Sequence, residues 1–184
     1  MAEDLDTATK LEIYKLVIGR YKDLISEKES RSISDLRQSV SPYNDAIRKL
    51  RDPMLADMVP YVFKAQFFTA AQRAMAYVRG IRTCEFAFAF WMSVKEMDAL
   101  KLGTAMDKAI LLAALLRSFE CEDAKVLVTK KGAAFVKFSW NGAQYLFAAD
   151  RGSVFVGDDA MKVFADDPVA YAFSDLVYEN YEEI

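Results

Sequence analysis

The sequence predicts an α+β fold, in which a helical N-terminal half and a central helix pack against an antiparallel sheet of three or four strands. Thr104 and Asp107 form a capping-box pattern directly before the apolar run 109–116, which indicates the start of a buried helix. After residue 124 the hydrophobic period changes from helical to alternating. The dipeptide Asn141-Gly142 lies between two alternating segments and is typical of a tight β-hairpin turn.

The first part of the chain is predicted to be helical. Ser32 followed by Asp35 indicates one helix start, and Asn44 or Asp45 is expected to cap a further short helix. Before them, residues 5–28 carry apolar side chains at spacings of three and four, which predicts a helix with one apolar stripe. The stripe consists of Leu11, Tyr14, Ile18, Tyr21 and Ile25.

The middle of the chain is predicted to contain a connector and a deeply placed helix. Pro53 and Pro60 are expected to bracket the connector, because proline interrupts regular structure. Residues 61–81 are apolar nearly all round, which predicts a buried helix that ends near Gly80. The run Phe86–Met92 fits a buried strand or a turn of helix, and periodicity does not distinguish the two.

The second half is predicted to form the central helix and the sheet. The helix is expected at 105–119, and the strands at 125–129, 133–140, 143–150 and 153–156. Asp167-Pro168 then has the pattern of a helix start, which predicts a last helix with acidic residues around it. We expect a single domain, 1–184, with a helical half at 1–82 and a core at 83–184 that ends in this acidic helix.

Composition and charge narrow the classes of function. The chain has 184 residues, of which 53% are hydrophobic, and its formal net charge is −3. Residues 151–184 are acidic and basic residues elsewhere are scattered among acids, so we expect no nucleic-acid partner. The longest apolar runs fall short of the ~20 residues that span a bilayer, and the acidic N-terminus is unlike a secretory signal. We therefore expect a cytoplasmic protein without a membrane partner.

The residue types also limit the chemistry. The sequence has no histidine and two cysteines, Cys84 and Cys121, which are too few for a disulfide framework or a zinc site. The acidic pairs Asp158-Asp159 and Asp166-Asp167 lack the ligand spacing of a calcium loop. The seven glycines are isolated from one another, so no phosphate-binding loop is formed. We expect no metal, no cofactor and cysteines that act as small buried hydrophobes.

Part of the chain resembles a known family. The residues concerned are Gly103-Thr104-Ala105-Met106-Asp107-Lys108-Ala109-Ile110-Leu111-Leu112, then Ala133-Ala134-Phe135-Val136-Lys137-Phe138, and Asp150. A central helix entered through Gly-x-x-x-Asp-x-Ala and followed by an antiparallel meander resembles the transglutaminase-like superfamily, in particular its archaeal branch of stand-alone proteins. The resemblance covers residues 98–156 and implies a papain-like core.

The resemblance implies a catalytic site in which two of three residues are replaced. In the family, the position of Ala105 holds a nucleophilic cysteine at a helix N-terminus, where the helix dipole favours the thiolate. The position of Ala133 holds the histidine that acts as general base. Asp150 matches the carboxylate that orients this histidine. Because both reacting groups are alanine here, we expect a pseudoenzyme without the thiol chemistry of the family.

The first functional hypothesis is a non-catalytic module that binds a peptide or a protein in the emptied cleft. The cleft would be formed by the three degenerate triad positions and by polar and aromatic side chains near them. These residues are Ala105, Ala133 and Asp150, with Thr104, Asp107, Trp91 and Phe135.

Other interpretations of the same residues stay open. Thr104 and Asp107 fit helix-capping roles, and Asp150 fits a strand-end acid that pairs with Arg151. One alternative function is a structural or oligomerisation protein whose old cleft is closed. Another is a hydrolase with relocated catalytic residues, drawn from Asp107, Asp150 and Cys84. The sequence does not specify the oligomeric state.

Overall fold

The computed structural model describes residues 6–181. The chain separates into two compact units. One contains the N-terminal helix up to Ser30 together with Phe86–Trp91, and the other contains Arg31–Glu85 together with the chain from Met92 onward. The division of a single domain at residue 82 stays a prediction.

The first unit consists of a long helix and an aromatic segment. Helix α1 spans Thr7–Lys28, and the Asp6 carboxylate caps it by accepting the Thr9 N–H at 2.9 Å. None of the residues of α1 is buried. The segment Phe86–Trp91 forms neither helix nor strand, so neither alternative for Phe86–Met92 holds. Its phenylalanine rings, at positions 86, 88 and 90, pack against one another with centroids 5.2–6.4 Å apart.

Three helices open the second unit: α2 (Ile33–Ser39), α3 (Asp45–Met54) and α4 (Phe63–Arg79). The predicted caps are confirmed, because Ser32 and Asp35 form a capping box and Asn44 accepts the Ala46 N–H at 2.9 Å. Pro53 does not begin the connector as predicted, since it lies inside the last turn of α3. Helix α4 buries one face, formed by Phe67, Ala70, Ala71, Ala74, Met75 and Val78.

The central helix follows a small parallel pair of strands. Strand β1 (Arg82–Thr83) pairs with β2 (Leu102–Gly103), and the short helix α5 (Val94–Leu100) lies between them in the chain. Helix α6 spans Ala105–Ser118, and every residue from Asp107 to Leu116 is buried. The predicted central helix and its capping box are confirmed.

The remaining elements form a sheet and a short helix. Within the described residues the sheet is antiparallel, with the order β6-β5-β4-β3-β7-β8. Asn141 and Gly142 have φ angles of 48° and 78°, as the predicted hairpin turn requires. The elements are β3 (Lys125–Thr129), β4 (Ala134–Trp140), β5 (Ala143–Ala148), β6 (Val154–Val156), α7 (Asp158–Lys162), β7 (Val169–Phe173) and β8 (Tyr178–Asn180).

The predicted C-terminal helix is wrong, because this part of the chain forms strands. These strands bring the sheet to six within the described residues, instead of the predicted three or four. The segment after Asp167 forms the hairpin β7–β8, and β7 pairs with β3. Asp167 does not cap a helix, because its carboxylate accepts hydrogen bonds from Thr129 Oγ1 at 2.5 Å and from the Lys131 N–H at 3.0 Å. It therefore fixes the start of β7 against the β3–β4 turn.

The two faces of the sheet have different partners. On the inner face, α6 packs against β3 and β4, and Phe67 of α4 contacts Phe138 of β4 edge to face. On the outer face, the segment that contains α7 covers an apolar cluster around Leu127, Phe135 and Leu146. On the same outer face, Lys125 at the start of β3 and Lys137 and Ser139 near the end of β4 line a groove.

Candidate functional site

Two of the degenerate triad positions lie opposite each other at one end of the β4–β5 pair. Phe135 pairs with Ala148, and the Ala149 N–H donates to the Ala134 carbonyl at 3.1 Å. The next step of this antiparallel register places Ala133 across from Asp150. Ala133 is exposed, and the Asp150 carboxylate pairs with the exposed Arg151 guanidinium at 3.0 Å.

The third position, Ala105, is the first residue of α6 and lies within the capping box. Asp107 accepts the Thr104 N–H at 3.0 Å and the Thr104 hydroxyl at 2.8 Å. It also accepts the Met92 N–H at 3.3 Å. Burial raises the pKa of Asp107, and these hydrogen bonds act in the opposite direction. The predicted capping roles of Thr104 and Asp107 are therefore confirmed.

A buried lysine connects the start of α6 to Asp150. Lys108 is 2% exposed and lies one turn after Ala105 on the same side of the helix. Its Nζ donates to Thr83 Oγ1 at 2.8 Å, and this hydroxyl donates to the Asp150 carbonyl at 2.8 Å. Burial lowers the pKa of Lys108, and the Asp150 charge opposes that shift. Lys108, a charged residue directly before the apolar run 109–116, was the sequence signal for this cluster.

The two cysteines lack the environment of a catalytic nucleophile. Cys84 is half-buried, and burial together with the Asp107 charge raises its pKa, which disfavours the thiolate. Cys121 is buried, and its pKa is raised by burial and by the nearby Asp123 carboxylate. Both side chains are therefore thiols at neutral pH.

The aromatic residues expected in the cleft belong to two other places. Phe135 lies in the outer-face cluster, where its ring meets Phe164 edge to face at 5.3 Å. Trp91 belongs to the first unit, and its backbone N–H donates to the Glu29 carboxylate at 3.2 Å. The structure thus brings Ala133 and Asp150 together, and it places Phe135 on the opposite face of the sheet from α6.

A groove of about 610 Å³ crosses the outer face of the sheet. Two cross-strand pairs form part of its floor, Lys125 with Lys137 and Ser139 with Gln144. Phe164 and other apolar side chains line the groove together with Asp123, Glu179 and Tyr181. The lining residues are Asp123, Lys125, Leu127, Lys137, Ser139, Gln144, Phe164, Pro168, Val169, Glu179 and Tyr181.

Two lysines and two acids line this outer-face groove, and within the described residues only one of the lysines forms an ion pair. Lys125 pairs with Glu179 at 2.7 Å, and the Tyr181 hydroxyl donates to the same carboxylate at 2.6 Å. Lys125 and Tyr181 lower the pKa of Glu179, and this carboxylate with burial raises the pKa of Tyr181 to about 12. Lys137 lies directly opposite Lys125 and is half-buried. Within residues 6–181 its side chain forms no hydrogen bond and no ion pair, although its charge lowers the pKa of Glu179.

Sequence reasoning missed this groove, although its signal was present in the alternation of the strands. Lys125 and Leu127 share one face of β3, and Lys137 and Ser139 share the same face of β4. Three of these four positions, Lys125, Lys137 and Ser139, are polar within strands whose inner positions are apolar. The alternation identifies which residues of β3 and β4 point outward. It does not predict that Phe164 and the β7–β8 hairpin form the walls of the groove, because this depends on pairing between distant parts of the chain.

Comparisons with family models, with curated proteins and with solved structures gave no match to this chain. In the described part of the chain, no three Cys, Asp or Glu side chains lie close enough to hold a metal ion. No helix between residues 6 and 181 has the length and apolar character needed to cross a membrane.

Proposed function

We propose that the protein is a non-catalytic binding module, and that the outer-face groove holds a peptide segment with an apolar side chain and an adjacent carboxylate. The observation that carries this proposal is Lys137. It is a half-buried cation on the groove floor, and within residues 6–181 it lacks an ion-pair partner. An acidic group of the ligand would supply an ion-pair partner for Lys137.

The electrostatics of the floor favour an anionic ligand group over a cationic one. Like charges that lie directly opposite each other on neighbouring strands repel. In this protein Glu179 forms an ion pair with Lys125, whereas Lys137 on the neighbouring strand forms no ion pair among residues 6–181, although its charge also lowers the pKa of Glu179. A carboxylate placed between the two lysines would relieve their repulsion and would gain charge-assisted hydrogen bonds.

The size and the remaining lining fit a short peptide. Ligand sites are typically clefts of about 300–1,000 Å³, with apolar walls and a few polar groups that fix orientation. The groove, at about 610 Å³, lies within this range. Leu127, Val169 and Phe164 offer an apolar surface, and Ser139 with Gln144 offers hydrogen-bond donors and acceptors beside it.

The proposed lack of catalysis is supported by the alanines at two of the three expected triad positions, Ala105 and Ala133. We propose that the core is a degenerate transglutaminase-like one, as α6 followed by the β3–β4–β5 meander and the pairing of Ala133 with Asp150 support. Neither alanine can act as nucleophile or base. Cys84 is held as a thiol, and the oxygens of Asp107 accept the capping hydrogen bonds. These observations favour binding over a hydrolase with relocated residues.

The test is binding of labelled short peptides that alternate leucine and glutamate, followed by fluorescence polarisation. Lys137→Gln should weaken binding by about tenfold or more, because it removes the charge that meets the ligand carboxylate. Lys137→Arg should retain most of the affinity. Lys130→Gln, at an exposed lysine outside the groove, is the matched control and should leave affinity unchanged. Equal binding of peptides with lysine in place of glutamate would contradict the proposal.

A further variant separates the two candidate locations. Ala105→Leu adds bulk at the start of α6, where the degenerate cleft was expected. If the peptide lies in the outer-face groove, this variant should bind as the wild type does. If Ala105→Leu abolishes binding while Lys137→Gln leaves it intact, the ligand occupies the emptied triad instead, and the groove assignment is wrong.

A further inference from the structure

Helix α1 exposes an unusually large apolar surface. It has 22 residues, none of them buried. Eight of its large hydrophobic side chains are exposed, with exposed fractions from 41% at Ile18 to 72% at Leu16. A helix of this length without a buried face is only marginally stable in water, so its persistence requires a surface to pack on.

The apolar residues of α1 cover one side of the helix. At 3.6 residues per turn, all but one of them fall within an arc of roughly 160°. Leu16 lies outside this arc, on the opposite side. Lys10 and Lys28 interrupt the arc near the two ends of the helix. The residues of this apolar face are Leu11, Ile13, Tyr14, Val17, Ile18, Tyr21, Leu24 and Ile25.

The area of the apolar face matches one side of a stable protein interface. The exposed fractions of its side chains correspond to an area on the order of 700 Å², close to the about 800 Å² per partner of a standard interface. The largest apolar patch of a monomeric protein is usually about 300–600 Å². The face is therefore large enough to support a specific contact without any other part of the chain.

The charges on α1 favour a second copy over a lipid surface. Residues 6–29 contain five basic and five acidic side chains, so two such helices carry no net repulsion. Helices that lie on anionic membranes are typically rich in lysine and arginine on the polar face. Here the polar face mixes both signs, with Glu12, Asp23 and Glu27 among the basic residues.

We infer that the apolar face of α1 is the interface through which two copies of this chain associate. In a two-fold symmetric contact the same face of each partner meets its counterpart, so the apolar face of one α1 packs against the apolar face of the other. Association buries the tyrosine and aliphatic side chains of both helices. The apolar face shares no residue with the outer-face groove.

The test is sedimentation equilibrium of the full chain from about 1 to 100 µM, a range in which interfaces of this size are often populated. We expect a concentration-dependent dimer. Ile18→Glu, on the apolar face, should raise the dissociation constant at least tenfold. Leu16→Glu is the matched control, because it changes a side chain of equal size on the opposite side of α1, and it should leave the dissociation constant within twofold.

A check of folding and a second variant distinguish loss of the interface from loss of the helix. Circular dichroism checks that the variants keep their helix content, and Tyr21→Gln is a milder second variant on the same face. If the wild type is a monomer throughout the range, the inference is wrong. Equal weakening by Leu16→Glu and Ile18→Glu would also overturn it. Binding of α1 to vesicles with about 30% anionic lipid, lost in Ile18→Glu while the protein stays monomeric, would assign the face to a membrane instead.

Discussion

Lys108 lies next to Asp107 at the start of the buried part of α6, and its Nζ donates to the Thr83 hydroxyl. Among the described residues no carboxylate lies within ion-pair distance of it. A buried ammonium without such a partner is costly, because the protein interior solvates charge poorly. Burial of this ammonium therefore reduces the stability of the folded protein.

Lys108→Met should raise the free energy of unfolding at neutral pH. Burial lowers the pKa of Lys108 in the folded protein below the ordinary value of 10.5 that applies to the unfolded chain. Between these two pKa values the unfolded state binds more protons, so wild-type stability rises with pH across that window. The gain from the substitution should be largest near neutral pH and should shrink toward pH 10.5, as measured by urea denaturation.

Lys101→Met provides the control with the opposite sign. The hydrogen bond to Asp98 raises the pKa of Lys101, so this lysine stabilises the folded state at neutral pH. Its removal should lower the free energy of unfolding there, and the difference should vanish as the pH rises above that raised pKa. If both variants show the same pH profile, burial is not the origin of the Lys108 effect.

Among the elements, the β7–β8 hairpin is tied to the central helix by a shielded ion pair. Arg117 near the end of α6 pairs with Asp175 of the hairpin turn at 2.6 Å, and the two side chains are 9% and 14% exposed. Arg117 also donates to the Cys121 carbonyl at 3.0 Å. The hydrogen bond to Asp175 raises the pKa of Arg117 against the opposing effect of burial. The pair therefore fixes where the hairpin meets the helix.

Asp175→Asn should destabilise the protein by about 3–5 kcal/mol, because it leaves the Arg117 charge buried without its partner. The double variant Asp175→Asn with Arg117→Met should recover part of this loss, since no unpaired charge remains. Chemical denaturation of the wild type and of the single and double variants measures the coupling. Asp57→Asn breaks the more exposed pair with Arg73 and should cost much less. An equal loss in both single variants would contradict the burial argument.

The elements also separate what the sequence could predict from what it could not. The capping box at Thr104, helix α6 and strands β3 to β6 follow from local patterns, and the structure confirms them to within two residues. The hairpin β7–β8 was predicted as a helix, because Asp167-Pro168 has the local pattern of a helix start. Its partner is β3, about 40 residues earlier in the chain, and no local pattern reports such a pairing.

The candidate sites could likewise be predicted only in part, because they depend on contacts between distant segments of the chain. The outward position of Lys137 can be read from the alternation in β4, but its lack of an ion pair depends on the surrounding strands. The proximity of Lys108 to Thr83 and Asp150 likewise needs α6, β1 and the end of β5 in place. The resemblance singles out Ala133 and Asp150, which only the strand register places opposite each other, and it gives no information about the outer face of the sheet.

For the molecule as a whole, the two units should differ in local stability. In dilute solution α1 has no buried face to hold it, whereas α4 and α6 are packed in the second unit. Segments with few buried contacts open most readily and are cut first by proteases.

We expect trypsin, applied at low protein concentration, to cleave first inside α1. The first cuts should fall at Lys15, Arg20 or Lys22, and a fragment that contains the second unit should persist. Mass spectrometry of the early products identifies the sites. Lys64 and Arg73 of α4 are the internal control, because that helix has a buried face. Early cuts at these residues would contradict the expected order.

The positions of the two tryptophans make the units optically separable. Trp91 belongs to the first unit, whereas Trp140 lies in β4, with Phe63 and Phe67 of α4 at 5.4 and 5.2 Å from its ring. Indole emission depends on the polarity around the ring, so each tryptophan reports on its own surroundings. Trp140→Phe leaves a spectrum from Trp91 alone, and Trp91→Phe leaves one from Trp140 alone. A titration of either variant with urea would thus follow the melting of one unit in the intact chain.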